Sequence, residues 1–147
     1  MNEFNVSLIT CPICNTTSRV FKDKATDRIF CPSCQFPLDS GLPIPLDDVT
    51  ISKFIEMAKK PVMILFWAPW EKESEEVFEL LALELEMPDN RMILASVDIG
   101  KNPESKRRYG IEMIPTIVIM SFGREINRIV GVVRRFELSR LIQQDRF

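Results

Sequence analysis

The run Val62-Met63-Ile64-Leu65-Phe66-Trp67 constrains this chain more than any other stretch. Six consecutive apolar residues behind Lys59-Lys60-Pro61 read as a strand buried on both faces. Such a strand needs a packed layer on each side of its sheet. Met92 to Val97 is a second run of the same kind. Between them, Glu71 to Met87 reads as a helix whose buried face is Val77, Leu80, Leu81, Leu83 and Leu85. Ahead of the first run, Val49, Phe54, Ile55 and Ala58 form a helical apolar stripe that Lys59-Lys60-Pro61 ends. Pro103 to Tyr109 reads as a short helix with Asn102 as N-cap and proline in its first turn. Thr116 to Met120 and Glu125 to Val130 flank Ser121-Phe122-Gly123-Arg124 as a hairpin, and Phe136 to Gln144 closes the chain as a helix. Strands alternating with helices imply parallel pairing, and the hairpin adds antiparallel edges. The expected class is α/β, a central mixed sheet flanked by helices.

The N-terminal third follows a different logic. Cys11-Pro12-Ile13-Cys14 and Cys31-Pro32-Ser33-Cys34 are two C-x-x-C knuckles with 16 residues between them. That spacing is a zinc pattern. A two-residue gap lets a tight turn aim both sulfurs at one point, and two such turns supply a closed tetrahedral site of four thiolates. Ser18 to Phe21 and Arg28-Ile29-Phe30 read as short strands between the knuckles. The expectation is a small zinc ribbon with one structural zinc ion on Cys11, Cys14, Cys31 and Cys34. Two disulfides, four thiols and an oxidant-sensing zinc thiolate cluster are the alternatives. Phe36 to Pro45 is proline-rich and reads as a connector, with a short edge strand at Ile44 to Leu46. The division is 1–40 for the ribbon, 41–46 for the linker or edge strand and 47–147 for the α/β domain.

Composition narrows the function classes. The chain has 147 residues, no histidine and a formal net charge of −2. Without histidine, Ser-His and Cys-His activation are unavailable. A near-neutral balance gives no global basic field for nucleic acid. No apolar run is long enough to span a membrane. Met1-Asn2-Glu3-Phe4-Asn5 lacks the basic and apolar regions of a secretory leader, so a cytoplasmic location is the default.

Phe66-Trp67-Ala68-Pro69-Trp70, Val97-Asp98, Asn102-Pro103, Tyr109-Gly110-Ile111, Ile114-Pro115-Thr116 and Gly131 occur in an order that resembles the thioredoxin family. The resemblance covers about residues 45–147. With the ribbon in front, the whole chain resembles the thioredoxin 2 type. It implies a thioredoxin fold and a cis bond between Ile114 and Pro115. It also implies a shallow peptide-binding groove lined by Trp70, Ile114, Pro115, Val130 and Gly131, where an extended segment adds to a short backbone edge. Trp67 is expected to pack in the core.

The departures carry equal weight. Family members have cysteines at the positions of Glu71 and Ser74, and commonly a buried aspartate and a lysine at those of Leu65 and Ser96. A disulfide exchanger needs one thiolate to attack and a second thiol to resolve. A carboxylate and a hydroxyl do neither. Leu65 in place of a buried carboxylate adds apolar burial worth about 1.5–3 kcal/mol. No base for Ser74 can be read from the sequence. Glu71, Glu73, Glu75 and Glu76 favour the positive end of the helix that follows, or form an acidic rim for basic partners.

The resulting expectation is a redox-inactive, polypeptide-binding or partner-docking module with no catalytic residues at the motif. The resemblance by itself implies a protein-disulfide reductase. The alternatives are a thiol-disulfide oxidoreductase or sensor using the ribbon cysteines, and a nucleic-acid-associated ribbon. Arg124, Arg128, Arg134, Arg135, Arg140 and Lys106-Arg107-Arg108 are read as a solvated face, because interleaved aromatics are missing.

Overall fold

The computed structural model describes residues 6–11, 16–21, 31–33, 43–58, 60–84 and 92–142. Two strands, β1 (Val6–Thr10) and β2 (Thr17–Phe21), pair antiparallel around the first knuckle, with Val6 opposite Phe21 and Thr10 opposite Thr17. β2 falls where a strand was expected, and it pairs with β1, which precedes Cys11. Arg28 to Phe30, Cys14 and Cys34 lie outside the described residues.

The larger sheet has five strands: β3 (Ile44–Leu46), β4 (Val62–Trp67), β5 (Ile93–Asp98), β6 (Thr116–Ser121) and β7 (Arg124–Val130). Their order is β3-β5-β4-β6-β7, parallel for β3, β5 and β4 and antiparallel for β6 and β7. The helices are α1 (Ile51–Met57), α2 (Lys72–Glu84), α3 (Pro103–Arg108) and α4 (Arg135–Ile142). The expected mixed sheet flanked by helices is therefore present.

Strand alternation divides the core in two. Val62, Ile64 and Phe66 of β4 join Val118 of β6 and Ile51, Phe54 and Ile55 of α1. Met63 and Leu65 face the other way, with Ile117 and Ile119, Val77 and Leu81 of α2, and Leu138 and Ile142 of α4. Both faces of β4 are thus covered, as its unbroken apolar run requires.

Several local expectations are corrected by packing. Val49 is 86% exposed, and Ile51 takes its place on the buried face of α1. The reason lies in the turn before the helix. Asp47 Oδ1 accepts from the amides of Val49 and Thr50 and from the Thr50 hydroxyl, so the helix starts two residues later. Leu83 is 40% exposed and Leu80 only half-buried, while Glu84 is buried. The Glu84 carboxylate lies under α4, where the Ser139 hydroxyl donates to it and Arg135 Nε stands 3.7 Å away. Leu85 lies outside the described residues.

Asn102 precedes α3 as expected but does not cap it with its side chain. Its Oδ1 accepts from the Asp48 amide at 2.9 Å and its Nδ2 donates to the Asp98 carbonyl at 2.9 Å. The cap comes from Asp48 instead. Its carboxylate accepts from the Ser105 amide and hydroxyl, both at 2.7 Å, and from the Glu104 amide at 3.3 Å. At the other end, Gly110 has φ +62° and closes the helix in a Schellman turn. The Ile111 amide donates to the Lys106 carbonyl and the Gly110 amide to that of Arg107.

Candidate functional site

The candidate groove lies at the end of the sheet where β4 stops. Register brings its parts together: Phe66 faces Thr116, and Thr116 faces Val130. The segment Ala68 to Glu71, the Ile114-Pro115 pair before β6, and Val130-Gly131 at the end of β7 therefore share one end of the sheet. The Ile114–Pro115 bond is cis. Pro115 is buried, and its carbonyl accepts from the Gly131 amide at 2.8 Å. Gly131 has φ +98°, a conformation open to glycine. The Thr116 hydroxyl donates to the Met113 carbonyl at 2.6 Å, which ties down the strand entry.

The two tryptophans have different settings. Trp67 is half-buried and stacks on Phe78 of α2, with ring centroids 4.1 Å apart and planes 20° apart. That is the expected packing role. Trp70 is 71% exposed. The far edge of its indole lies over Gly100 in the turn after β5. Met113 just before β6, Val130 at the end of β7, Val132 after it and Phe136 in the first turn of α4 are also exposed. The sequence analysis placed none of Met113, Val132 and Phe136 in the groove. Their signal was position: apolar residues beside Pro115, Gly131 and a helix start, not within strands.

The motif loop closes on itself. The Glu71 carboxylate accepts from the Ser74 amide at 2.7 Å and from the Ser74 hydroxyl at 2.6 Å. The Glu71 carbonyl accepts from the Glu75 amide, so Glu71 occupies the cap position of α2. These bonds from Ser74, hydroxyl first and amide second, hold the Glu71 carboxyl below its usual range. A base beside Ser74 therefore exists, although none was legible from the sequence. Ser74 is fully buried, and a depressed carboxyl is a weak proton acceptor.

Leu65 and Ser96 stand opposite each other on β4 and β5 and are both buried. Cys11 and Cys31 are both fully buried. The Thr16 hydroxyl, behind the first knuckle, donates to the Ser33 hydroxyl inside the second at 3.1 Å. This bond joins the residue before β2 to the Cys31–Ser33 segment. Among the described residues, no three His, Cys, Asp or Glu side chains gather as a metal set.

Among the described arginines, Arg107, Arg108 and Arg128 are engaged within the chain. Arg128 donates to the Tyr109 and Gly110 carbonyls and pairs with Glu125. Arg107 pairs with Glu104, and Arg108 donates to Ser52. Among the described residues, no helix is long and apolar enough to cross a membrane.

Comparison with known proteins places this geometry. The thioredoxin family model matches residues 44–144. Thioredoxin C-3 of Corynebacterium nephridii is 28% identical over 137 residues, covering 93% of this chain and 94% of that protein. This alignment is longer than the family match and includes part of the N-terminal third. Thioredoxin 1 of Nostoc sp. is 27% identical over 97 residues, or 66% of this chain and 91% of that protein. Among solved structures, a point mutant of the thioredoxin from Halobacterium salinarum superposes with a TM-score of 0.58 at 20% identity, over 70% of this chain and 89% of that one. Strand order, the loop between β4 and α2, the cis bond before β6 and the family match agree: the chain belongs to the thioredoxin family.

Proposed function

We propose that this thioredoxin-family chain is a polypeptide-docking module that performs no thiol-disulfide exchange at its motif loop. One observation carries the reading. Glu71 and Ser74 satisfy each other where an exchanger places its thiols, while Trp70, Met113 and Val130 stay exposed at the end of the sheet that carries that loop. Clustered exposed apolar side chains mark interaction surfaces. An extended segment would lie along Ile114-Pro115 and Val130-Gly131 with Trp70 as the aromatic anchor.

The test uses reduced, carboxymethylated α-lactalbumin, a permanently unfolded polypeptide. Wild type binds it, and a Trp70→Ala/Pro115→Ala variant with verified folding does not. Equal binding by both would leave the groove without a role.

The comparisons weigh toward a second reading, because the relatives carry the name thioredoxin. On that reading the chain is a thiol-disulfide oxidoreductase or redox sensor. Its only thiols are Cys11, Cys14, Cys31 and Cys34. Insulin reduction by the full chain that is abolished by alkylating those cysteines would establish it and displace the first reading.

The same four cysteines fit one structural zinc ion. The burial of Cys11 and Cys31 and the Thr16–Ser33 hydrogen bond support that set. Zinc would hold the knuckles in place of a core that so small a unit lacks. A proposed ribbon at 1–40, linker at 41–46 and docking domain at 47–147, in a cytoplasmic setting, complete the reading. One zinc per chain by elemental analysis, lost on Cys11→Ser, checks it.

A further inference from the structure

Gly100 sits in the turn between β5 and α3, and its surroundings are unusual for a glycine. A methyl group built on its Cα would lie 2.3 Å from Trp70 Cη2, 2.6 Å from Trp70 Cζ3 and 3.3 Å from Asp98 Oδ1. No φ in the left-handed region demands glycine here, since among the described residues Gly110, Gly123 and Gly131 are the glycines with positive φ. The requirement is one of space. The turn is otherwise pinned: the Gly100 amide donates to Asp98 Oδ1 at 2.9 Å, Lys101 to the Asp98 carbonyl at 3.2 Å, and Ile99 to the Trp67 carbonyl at 2.9 Å. The backbone is held on both sides, so a side chain at position 100 must displace the indole. The indole is 71% exposed and has room to swing away.

We propose that Gly100 is a positioning residue for the groove: its missing side chain seats the Trp70 ring against the Asp98–Lys101 turn in the orientation that receives a polypeptide. The proposal rests on the docking reading above. It has a consequence that an ordinary glycine lacks. Substitution leaves the fold intact and moves one aromatic anchor, so stability and binding separate. A double-mutant cycle isolates the contact, because Trp70→Phe removes Cη2 and Cζ3 and the shorter ring does not reach position 100.

The full chain is labelled with 5-fluorotryptophan, and the Trp70 resonance is assigned with Trp70→Phe. Thermal unfolding is followed in parallel, with binding to reduced, carboxymethylated α-lactalbumin. Gly100→Ala is expected to shift the Trp70 fluorine resonance, leave that of Trp67 in place and preserve the unfolding midpoint. It weakens binding by about fivefold or more, as for loss of one interface anchor. In the Trp70→Phe background the same substitution changes binding no further.

An unmoved Trp70 resonance, or an equal effect of Gly100→Ala in both backgrounds, overturns the proposal. Should Gly100→Ala unfold the chain, restoration by Trp70→Phe supports the contact, and failure to restore overturns it. If wild type does not bind the polypeptide, the docking reading falls, while the fluorine resonance still decides whether Gly100 seats Trp70.

Discussion

Glu71 and Ser74 form a closed pair across the first turn of α2, with one carboxylate oxygen taking both the amide and the hydroxyl of Ser74. Ser74→Ala removes the hydroxyl bond from a fully buried position and should cost about 1 kcal/mol in urea unfolding at neutral pH. The pH dependence has a definite sign. The folded Glu71 carboxyl is held below its unfolded value. Its contribution is complete above the ordinary glutamate pKa of about 4.3 and disappears as pH falls through the lower folded value. The difference between wild type and Ser74→Ala should therefore shrink on acidification below that range. A difference that grows in acid would refute the cap.

Returning sulfur to the loop tests what the scaffold still supports. Glu71→Cys/Ser74→Cys places two thiols at the start of α2, where the helix dipole favours a thiolate. The variant should form a reducible disulfide, detected as a two-thiol difference on alkylation, and should gain insulin reduction over wild type. Turnover should stay low, because Leu65 offers no carboxylate to move the proton.

The opposition of Leu65 and Ser96 gives a second reconstruction. Leu65→Asp buries a carboxylate between β5 and β6 and should destabilise the chain by about 3 kcal/mol or more. Ser96→Lys in the same chain should recover part of that loss. Chemical denaturation of the two single variants and the double reads the coupling; strict additivity would mean that the side chains do not meet.

Asp48 links the turn before α1 to the start of α3. Burial alone would raise its carboxyl, but hydrogen bonds from Ser105 and Glu104 and the nearby Arg108 charge bring it below the usual range. Its stabilising effect is therefore present above the unfolded aspartate pKa of about 3.9 and lost as pH falls through the folded value. Asp48→Asn should lower the unfolding midpoint at pH 7 and flatten the acid limb of the stability profile. Amide exchange at Glu104 and Ser105 should rise first. An unchanged acid limb would assign the acid sensitivity elsewhere.

What could be read from the chain was what local pattern encodes. The unbroken apolar runs gave β4 and β5, and Phe122-Gly123 gave the hairpin turn, where both residues take positive φ. The cis bond at Pro115 came from resemblance, since nothing local distinguishes it from a trans bond. The misses are long-range partnerships. Asp48 caps a helix 55 or more residues away, a distance that no capping pattern spans. Glu84 is buried only because α4 returns over α2. Gly100 was not singled out, because the ring that lies over it, Trp70, is 30 positions earlier.

The side-chain hydrogen bonds of the cap on α2 are complete within four residues, Glu71 to Ser74. A segment so self-contained is an exchangeable cassette. Leu65 and Ser96, the other two departures, lie in the sheet, so the loop can be refilled locally while the proton path behind it has to be rebuilt in β4 and β5.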